Sequence, residues 1–101
     1  MTHQRKRIEI VVEAVRAAEV TDLLDRLGAT GWTQLPVLAG RGRQGVRRGG
    51  DLSGVLDNVV IICICGAAVA ERVIEAREEL LGARPAIVNI TDCQVLRAEH
   101  F

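Results

Sequence analysis

Aromatic side chains are almost missing from this chain: its 101 residues include one Trp, one Phe and no Tyr. Proteins that grip single-stranded nucleic acid stack bases on several exposed rings, so that class of surface is disfavoured. Proline occurs only at Pro36 and Pro85, too sparsely for a proline-rich linker. Lysine occurs once, at Lys6, and the other basic residues are Arg; 13 basic and 13 acidic residues cancel to a formal charge of zero. Bulk charge therefore points to neither nucleic acid nor an anionic membrane, and any electrostatic argument is local. No stretch approaches the ~18 consecutive apolar residues of a membrane span. The basic start, Met1 to Arg7, leads into an alternating pattern and not into the apolar stretch and cleavage site of a signal peptide. Three cysteines, Cys63, Cys65 and Cys93, make no recognisable disulfide framework, and reduced thiols in a cytoplasmic protein are expected.

What is present is ordinary globular material, 49% hydrophobic and 26% charged, at a length that suits one domain over residues 1–101. Ile8, Ile10 and Val12 alternate with Arg7, Glu9 and Glu13, which predicts a half-buried strand. Val20, Leu23, Leu24 and Leu27 fall at helical spacing, with Gly28 or Gly31 as the stop. Trp32 to Ala39 is extended again, and Pro36, which has no N–H to donate, suggests an edge strand or a bulge. Val59 to Cys65 is an unbroken apolar run rich in β-branched residues, as in a strand covered on both faces. A second helix is predicted from about Ala67 to Leu81, closed by Gly82 and Pro85. Ala86 to Ile90 is the last clear strand, followed by a turn at Thr91 and Asp92 and a short extension from Gln94 to Arg97.

Strand, helix, strand, long loop, strand, helix, strand is the split βαβ or ferredoxin-like arrangement, an α+β fold with one antiparallel sheet and two helices on one face. Two helices cover one face only, whereas the run from Val59 to Cys65 is apolar on both. Leaving the second face wet forfeits ~25 cal/mol per Å² of apolar surface. A further copy of the chain, or the tail folded back, is expected to cover it.

Nine of the eleven residues from Gly40 to Gly50 are Gly or Arg, and this window carries four positive charges and no acid. Glycine lets backbone amides approach an anion, and the guanidinium fork matches phosphate or carboxylate oxygens. An anion site at the base of a flexible loop, about 41–54, is the expected use; a mobile connector with solubilising Arg is the plainer one. Residues 40–45 also fit G-x-G-x-x-G, but the residues after them carry no helical stripe, so the dinucleotide-binding context is missing. Cys63 and Cys65 share a strand face that Cys93 could approach, which allows zinc, although buried thiol packing is the commoner use of such a pair. His3 and His100 sit near the chain ends, where disorder is expected. Asp51 and Asp57 flank the loop. No nucleophile with a supporting base is evident, so an enzyme is not expected.

Gly31-Trp32-Thr33, followed by Gly40-Arg41-Gly42-Arg43-Gln44-Gly45, resembles the PII signalling proteins, in which a Gly-hydrophobic-Thr step precedes a strand ending in Gly-x-Gly-Arg-Gln at the base of a long flexible loop. With the strand Val55 to Cys65 and the helix containing Val73-Ile74-Glu75-Ala76, the likeness spans about residues 6–91. It implies a homotrimer of ferredoxin-like subunits that binds adenine nucleotides (AMP, ADP or ATP) in inter-subunit clefts. Thr33 and Ile64 would then lie near the adenine and Gly40, Gly42 and Gln44 at the loop base. Arg97 would meet a phosphate from a neighbouring subunit if the tail returns to the cleft. Arg41 and Arg43, with Gln44, are assigned to a small carboxylate-like anion such as bicarbonate on charge geometry. Two departures matter. The modifiable loop Tyr is absent, and only Leu81-Gly82-Ala83-Arg84-Pro85 stands where the family carries a longer Gly/Lys-rich phosphate segment. Uridylylation and 2-oxoglutarate are accordingly not expected, and the chain is most similar to PII-like proteins linked to carboxysomes and bicarbonate transport. The expected partner is a bicarbonate transporter or a carboxysome-associated protein, with no nucleic acid, metal or membrane insertion. Competing readings are an RNA-binding module using the Gly/Arg loop and a CutA-like metal-binding trimer with the thiols as ligands.

Overall fold

The structure, a computed structural model, describes residues 1–42, 45–48, 57–82 and 86–101, with 42 and 45–48 as backbone only. Strand β1 (His3–Glu13) leads through a 3-10 turn (Ala14–Arg16) into α1 (Ala17–Arg26). Strand β2 (Thr33–Pro36) is followed by β3 (Ala39–Gly42), β4 (Gly45–Arg48) and β5 (Asn58–Cys65). Helices α2 (Ala67–Glu75) and α3 (Arg77–Leu81) precede β6 (Ile87–Val95). The main sheet has the order β2-β5-β1-β6, and every pair in it is antiparallel. That order, with α1, α2 and α3 on one face, is the ferredoxin-like α+β architecture.

Period-two patterning decides which side chains face the helices. Ile8, Ile10 and Val12 pair with Cys63, Ile61 and Val59, and all six are at most 6% exposed. Val20 and Leu24 of α1, Val73 of α2 and Leu80 of α3 close over them. Pro36 sits in an edge strand, where its missing donor costs no ladder bond.

Two arginines fasten the ends of the helices. Arg16, just before α1 and only 7% exposed, donates from Nη2 to the Leu80 carbonyl at 3.0 Å and from Nη1 to the Leu81 carbonyl at 3.1 Å. Those carbonyls belong to the last turn of α3, which has no intrahelical donors left for them. Arg72 of α2 does the same for α1, donating from Nε to the Leu27 carbonyl at 2.8 Å. Each capped end runs into a glycine with positive φ, Gly82 at 59° and Gly28 at 100°. A Cβ at either would lie 3.0 Å from the arginine's Nη2. Arg26 of α1 also pairs with Glu79 of α3.

The structure departs from the sequence expectations in several places. The segment from Gly40 to Gly54, expected as loop, opens as a two-stranded antiparallel ribbon, with Ala39 opposite Arg48 and Gly42 opposite Gly45. Composition alone reads such Gly-rich chain as loop, yet extended backbone needs no apolar side chains once a partner strand supplies the hydrogen bonds. No turn forms at Thr91 and Asp92: β6 continues through them, opposite Arg7 and Lys6. The eleven-residue β1 offers a ladder for the full length, and Lys6 pairs with Asp92 across it. The same extension orders His3 in β1, opposite Val95. The second helix is broken at Ala76, which has ψ of 17°.

Candidate functional site

The sheet face turned away from the helices carries the residues of interest. Pairing register arranges it in rows that cross the strands. One row is wholly apolar: Leu35, Val60, Val11 and Ile87. The next holds Thr33, Ile62, Glu9 and Asn89, and the one beyond it Ile64, Arg7 and Thr91. Arg5 and Cys93 follow, towards the end where β1 starts. In the isolated chain Val60, Ile62 and Ile64 stay half-buried, while Leu35 and Ile87 are 44% and 65% exposed. Among the described residues nothing covers this face as α1 and α2 cover the other.

Thr33 and Ile64 are brought together here: Thr33 pairs with Ile62, two residues before Ile64 on the same face of β5. Thr33 presents a hydroxyl and Ile64 an apolar surface, which suits a flat heterocycle bearing polar edges. The segment after β6 returns to this end of the sheet. Arg5 donates to the Ala98 carbonyl, and the Thr30 hydroxyl donates to the His100 carbonyl. Arg97, next to Ala98 and exposed, therefore shares the sheet end of Thr33 and Ile64, held by its own chain. Gly40, Arg41 and Gly42 are not brought to Thr33 within one chain, because β3 begins beyond the far end of β2. Arg41 is exposed. Arg43 and Gln44 lie outside the described residues, as does Asp51.

Charge on the outer face is partly neutralised: Arg7 Nη1 lies 3.0 Å from Glu9 Oε2. On the helix-side half of the β1 alternation, Lys6 holds its proton more tightly than a free lysine, first through its hydrogen bond to Asp92 and then through that carboxylate's charge. Arg5 and Arg7 are the residues that sequence reasoning passed over. Their signal was visible as the polar half of the β1 alternation, but only the sheet order shows that this half faces an uncovered surface.

The cysteines divide between the two faces. Cys63 and Cys65 are buried under the helices, whereas Cys93 pairs with Arg5 on the opposite side of β1's alternation. Burial, with Cys65 beside it, pushes the Cys63 thiol up to about 12, and burial also raises that of Cys65. Thiols buried in this way pack as small apolar groups. Among the described residues no group of three His, Cys, Asp or Glu side chains converges. A groove of about 450 Å³ between α2, α3 and β6 is lined mainly by Val73, Ile74, Leu80, Ile87 and Ile90 and brings no set of polar groups to a point.

The βαββαβ sandwich with an uncovered outer face and a Gly/Arg ribbon after its second strand is an architecture that many unrelated functions share, and sequence comparison says which family this one belongs to. The profile of the family described as Nitrogen regulatory protein P-II matches residues 5–100; the chain belongs to that family, and within it to the PII-like signalling proteins. Solved structures agree. CPII, a nitrogen regulatory PII-like protein from Thiomonas intermedia K12, bound to ADP, AMP and bicarbonate, is 28% identical, with a TM-score of 0.86 over 96% of this chain and 92% of that one. The same protein bound to ADP and bicarbonate gives 29% identity and 0.82, covering 96% and 93%. A Thermus thermophilus protein described as PII-like shares the fold at 24% identity, with a TM-score of 0.79 over 93% and 91%. No curated protein shares significant sequence similarity with the chain.

Proposed function

We propose that this protein is a non-catalytic sensor of adenine nucleotides. It assembles as a homotrimer of single-domain subunits and binds AMP, ADP or ATP in the clefts between them, with bicarbonate as a second ligand. The observation that carries this reading is the outer sheet face. It places Thr33 beside Ile64, leaves both accessible to a partner, and receives the segment bearing Arg97 at the same end. The likeness to CPII, whose structures hold ADP, AMP and bicarbonate, supports these ligands for this chain.

In this reading Thr33 and Ile64 frame the adenine and Arg97 meets a phosphate. Gly40, Gly42 and Gln44 arrive from an adjacent subunit's ribbon base, since β3 starts away from Thr33 in its own chain. Arg41 and Arg43, with Gln44, hold bicarbonate, a planar anion that a guanidinium fork matches. Ligand occupancy selects one arrangement of residues 41–54, and that arrangement gains or loses a protein partner. Selection requires that the ligand favour one loop state over another. The partner is a bicarbonate transporter or a carboxysome-associated protein, so that adenylate charge and inorganic carbon are read together. The three cysteines are all free, which fits action in the reducing cytoplasm. No described helix is long and apolar enough to cross a membrane.

Calorimetric titration with AMP, ADP and ATP, each with and without bicarbonate, on protein whose oligomeric state has been measured by sedimentation, tests the proposal. Saturable adenylate binding by a trimer, altered by bicarbonate, is expected. A trimer that ignores all three nucleotides overturns it.

A further inference from the structure

The segment from Leu96 to Phe101 is exposed throughout, and Leu96 itself is 84% exposed. Apart from Phe101, which is 36% exposed, apolar burial does little to hold it, and two hydrogen bonds do the rest. Arg5 Nη2 donates to the Ala98 carbonyl at 3.1 Å, and the Thr30 hydroxyl donates to the His100 carbonyl. Between these anchors the chain leaves the β6 edge, passes the start of β1 and reaches the approach to β2. His100 takes up a φ of 78° on the way, a left-handed conformation that a residue with a side chain seldom keeps unless its neighbours hold it.

Arg5 is itself constrained. Its Nη1 donates to the Gln4 carbonyl at 2.7 Å, which fixes the guanidinium plane beside β1. Its Nε is buried without a partner among the described residues. A guanidinium locked on a strand and bonded to a peptide carbonyl is a rigid peg for an otherwise exposed segment. The residue immediately before that carbonyl is Arg97.

We propose that Arg5 is a positioning residue: through the Ala98 carbonyl it fixes the backbone of Arg97 at the end of the outer sheet face, and so sets the affinity for the phosphate part of the nucleotide. This rests on the nucleotide-sensor reading and adds to it a residue that touches no ligand. The physical reason is preorganisation. Six exposed residues without an anchor spread the Arg97 guanidinium over many positions, and ordering them on binding weakens affinity. With the peg in place that ordering has already occurred in the free protein.

Calorimetric titration of the full chain with ADP, alongside thermal unfolding, tests this in the wild type, Arg5→Ala, Arg5→Lys, Arg97→Ala and the Arg5→Ala/Arg97→Ala double variant. Arg5→Ala is expected to weaken ADP by about tenfold while the oligomer stays intact. Arg5→Lys, which keeps one donor towards the carbonyl, recovers most of the loss. The double variant is no weaker than Arg97→Ala alone, because a peg without its arginine has nothing to position. Unchanged ADP affinity in Arg5→Ala overturns the inference, as does a double variant whose losses multiply, or an Arg97→Ala variant that binds like wild type. Should Arg5→Ala not fold, Thr30→Val releases the other anchor and must show the same loss and the same lack of additivity. A wild-type trimer that does not bind ADP sinks the sensor reading itself; wild-type binding with an indifferent Arg5→Ala sinks only the positioning role.

Discussion

Arg16 shows how much one side chain can decide in a small protein. It is buried, and its two terminal nitrogens satisfy carbonyls of the last turn of α3, while Glu19 accepts from the same guanidinium at 3.3 and 3.4 Å. Removing it leaves two carbonyls without donors in a place water reaches poorly. Arg16→Ala should destabilise the fold by roughly 1–3 kcal/mol, read as a lower urea midpoint at an unchanged m-value. Gly82→Ala should cost a similar ~1–3 kcal/mol by another route: φ of 59° with ψ of −157° is a glycine conformation, and the new methyl would press on Arg16. The two changes are expected to be less than additive, since the alanine at 82 strains an arginine that the other change deletes.

The buried thiols make a second residue-scale prediction, in which the sign is fixed by direction. Cys63 ionises at about 12 in the folded protein against 9.0 for a free thiol, and Cys65 is shifted the same way. Well below the free-thiol value both states hold these protons and the thiols contribute no pH dependence. Above it the unfolded chain releases them while the folded one retains them, so unfolding becomes easier as pH climbs from about 9 towards 12. Denaturant melts at about pH 8 and about pH 10.5 should differ by more in the wild type than in Cys63→Ala. At about pH 8 an alkylating reagent should leave Cys63 and Cys65 unmodified in the native protein and modify all three thiols after unfolding, as burial and neutrality protect those two.

At the scale of elements, what was legible in the sequence is what period and apolarity encode. Alternation at Ile8, Ile10 and Val12 and the run from Val59 to Cys65 specify the central strands, because each half-turn of the pleat is either under the helices or not. The ribbon Ala39–Gly42 with Gly45–Arg48 was not legible: its residues carry no apolar alternation, and its hydrogen bonds are a property of the pair, invisible in either strand alone. The length of β6 escaped for the opposite reason, since Thr91 and Asp92 look like turn residues until β1 is seen to reach them. The candidate site divides in the same way. Thr33 and Ile64 were named through resemblance and a returning tail was one of the expected covers of the outer face, while Arg5, which bonds to that tail, needed coordinates. Gly40 offers a test at this scale. A Cβ placed there meets nothing within 4 Å, and its φ is not positive, so Gly40→Ala should leave stability within about 0.5 kcal/mol. If the ribbon base meets a nucleotide across a subunit boundary, the same variant should lose ADP affinity several-fold. Thermal unfolding and titration on one sample separate the two effects, and an Ala variant that binds normally removes Gly40 from the site.

For the whole molecule the outer sheet face is the governing feature. Leu35, Val60, Val11 and Ile87 make an apolar row from edge to edge, on a face that no described helix covers. Stable protein interfaces bury ~800 Å² per partner, and at ~25 cal/mol per Å² of apolar surface this row is where the proposed trimer would gain most from burial. The centre of the row is the informative place to disturb. Val60 lies on β5, between the edge strand β2 and the central β1, with its side chain away from the helices. In a lone subunit Val60→Glu faces water and leaves the core of Ile8, Ile10 and Ile61 intact, so the chain should still fold with its helical content unchanged by circular dichroism. Within a trimer the same carboxylate would be desolvated against apolar neighbours, and burying an unpaired charge costs several kcal/mol. Sedimentation should therefore find wild type as trimer and Val60→Glu as monomer. Because the proposed clefts exist only between copies, ADP binding should vanish with assembly although Thr33, Ile64 and Arg97 are untouched. A folded Val60→Glu monomer that binds ADP as tightly as wild type would place the nucleotide within a single chain and remove the inter-subunit cleft from the mechanism.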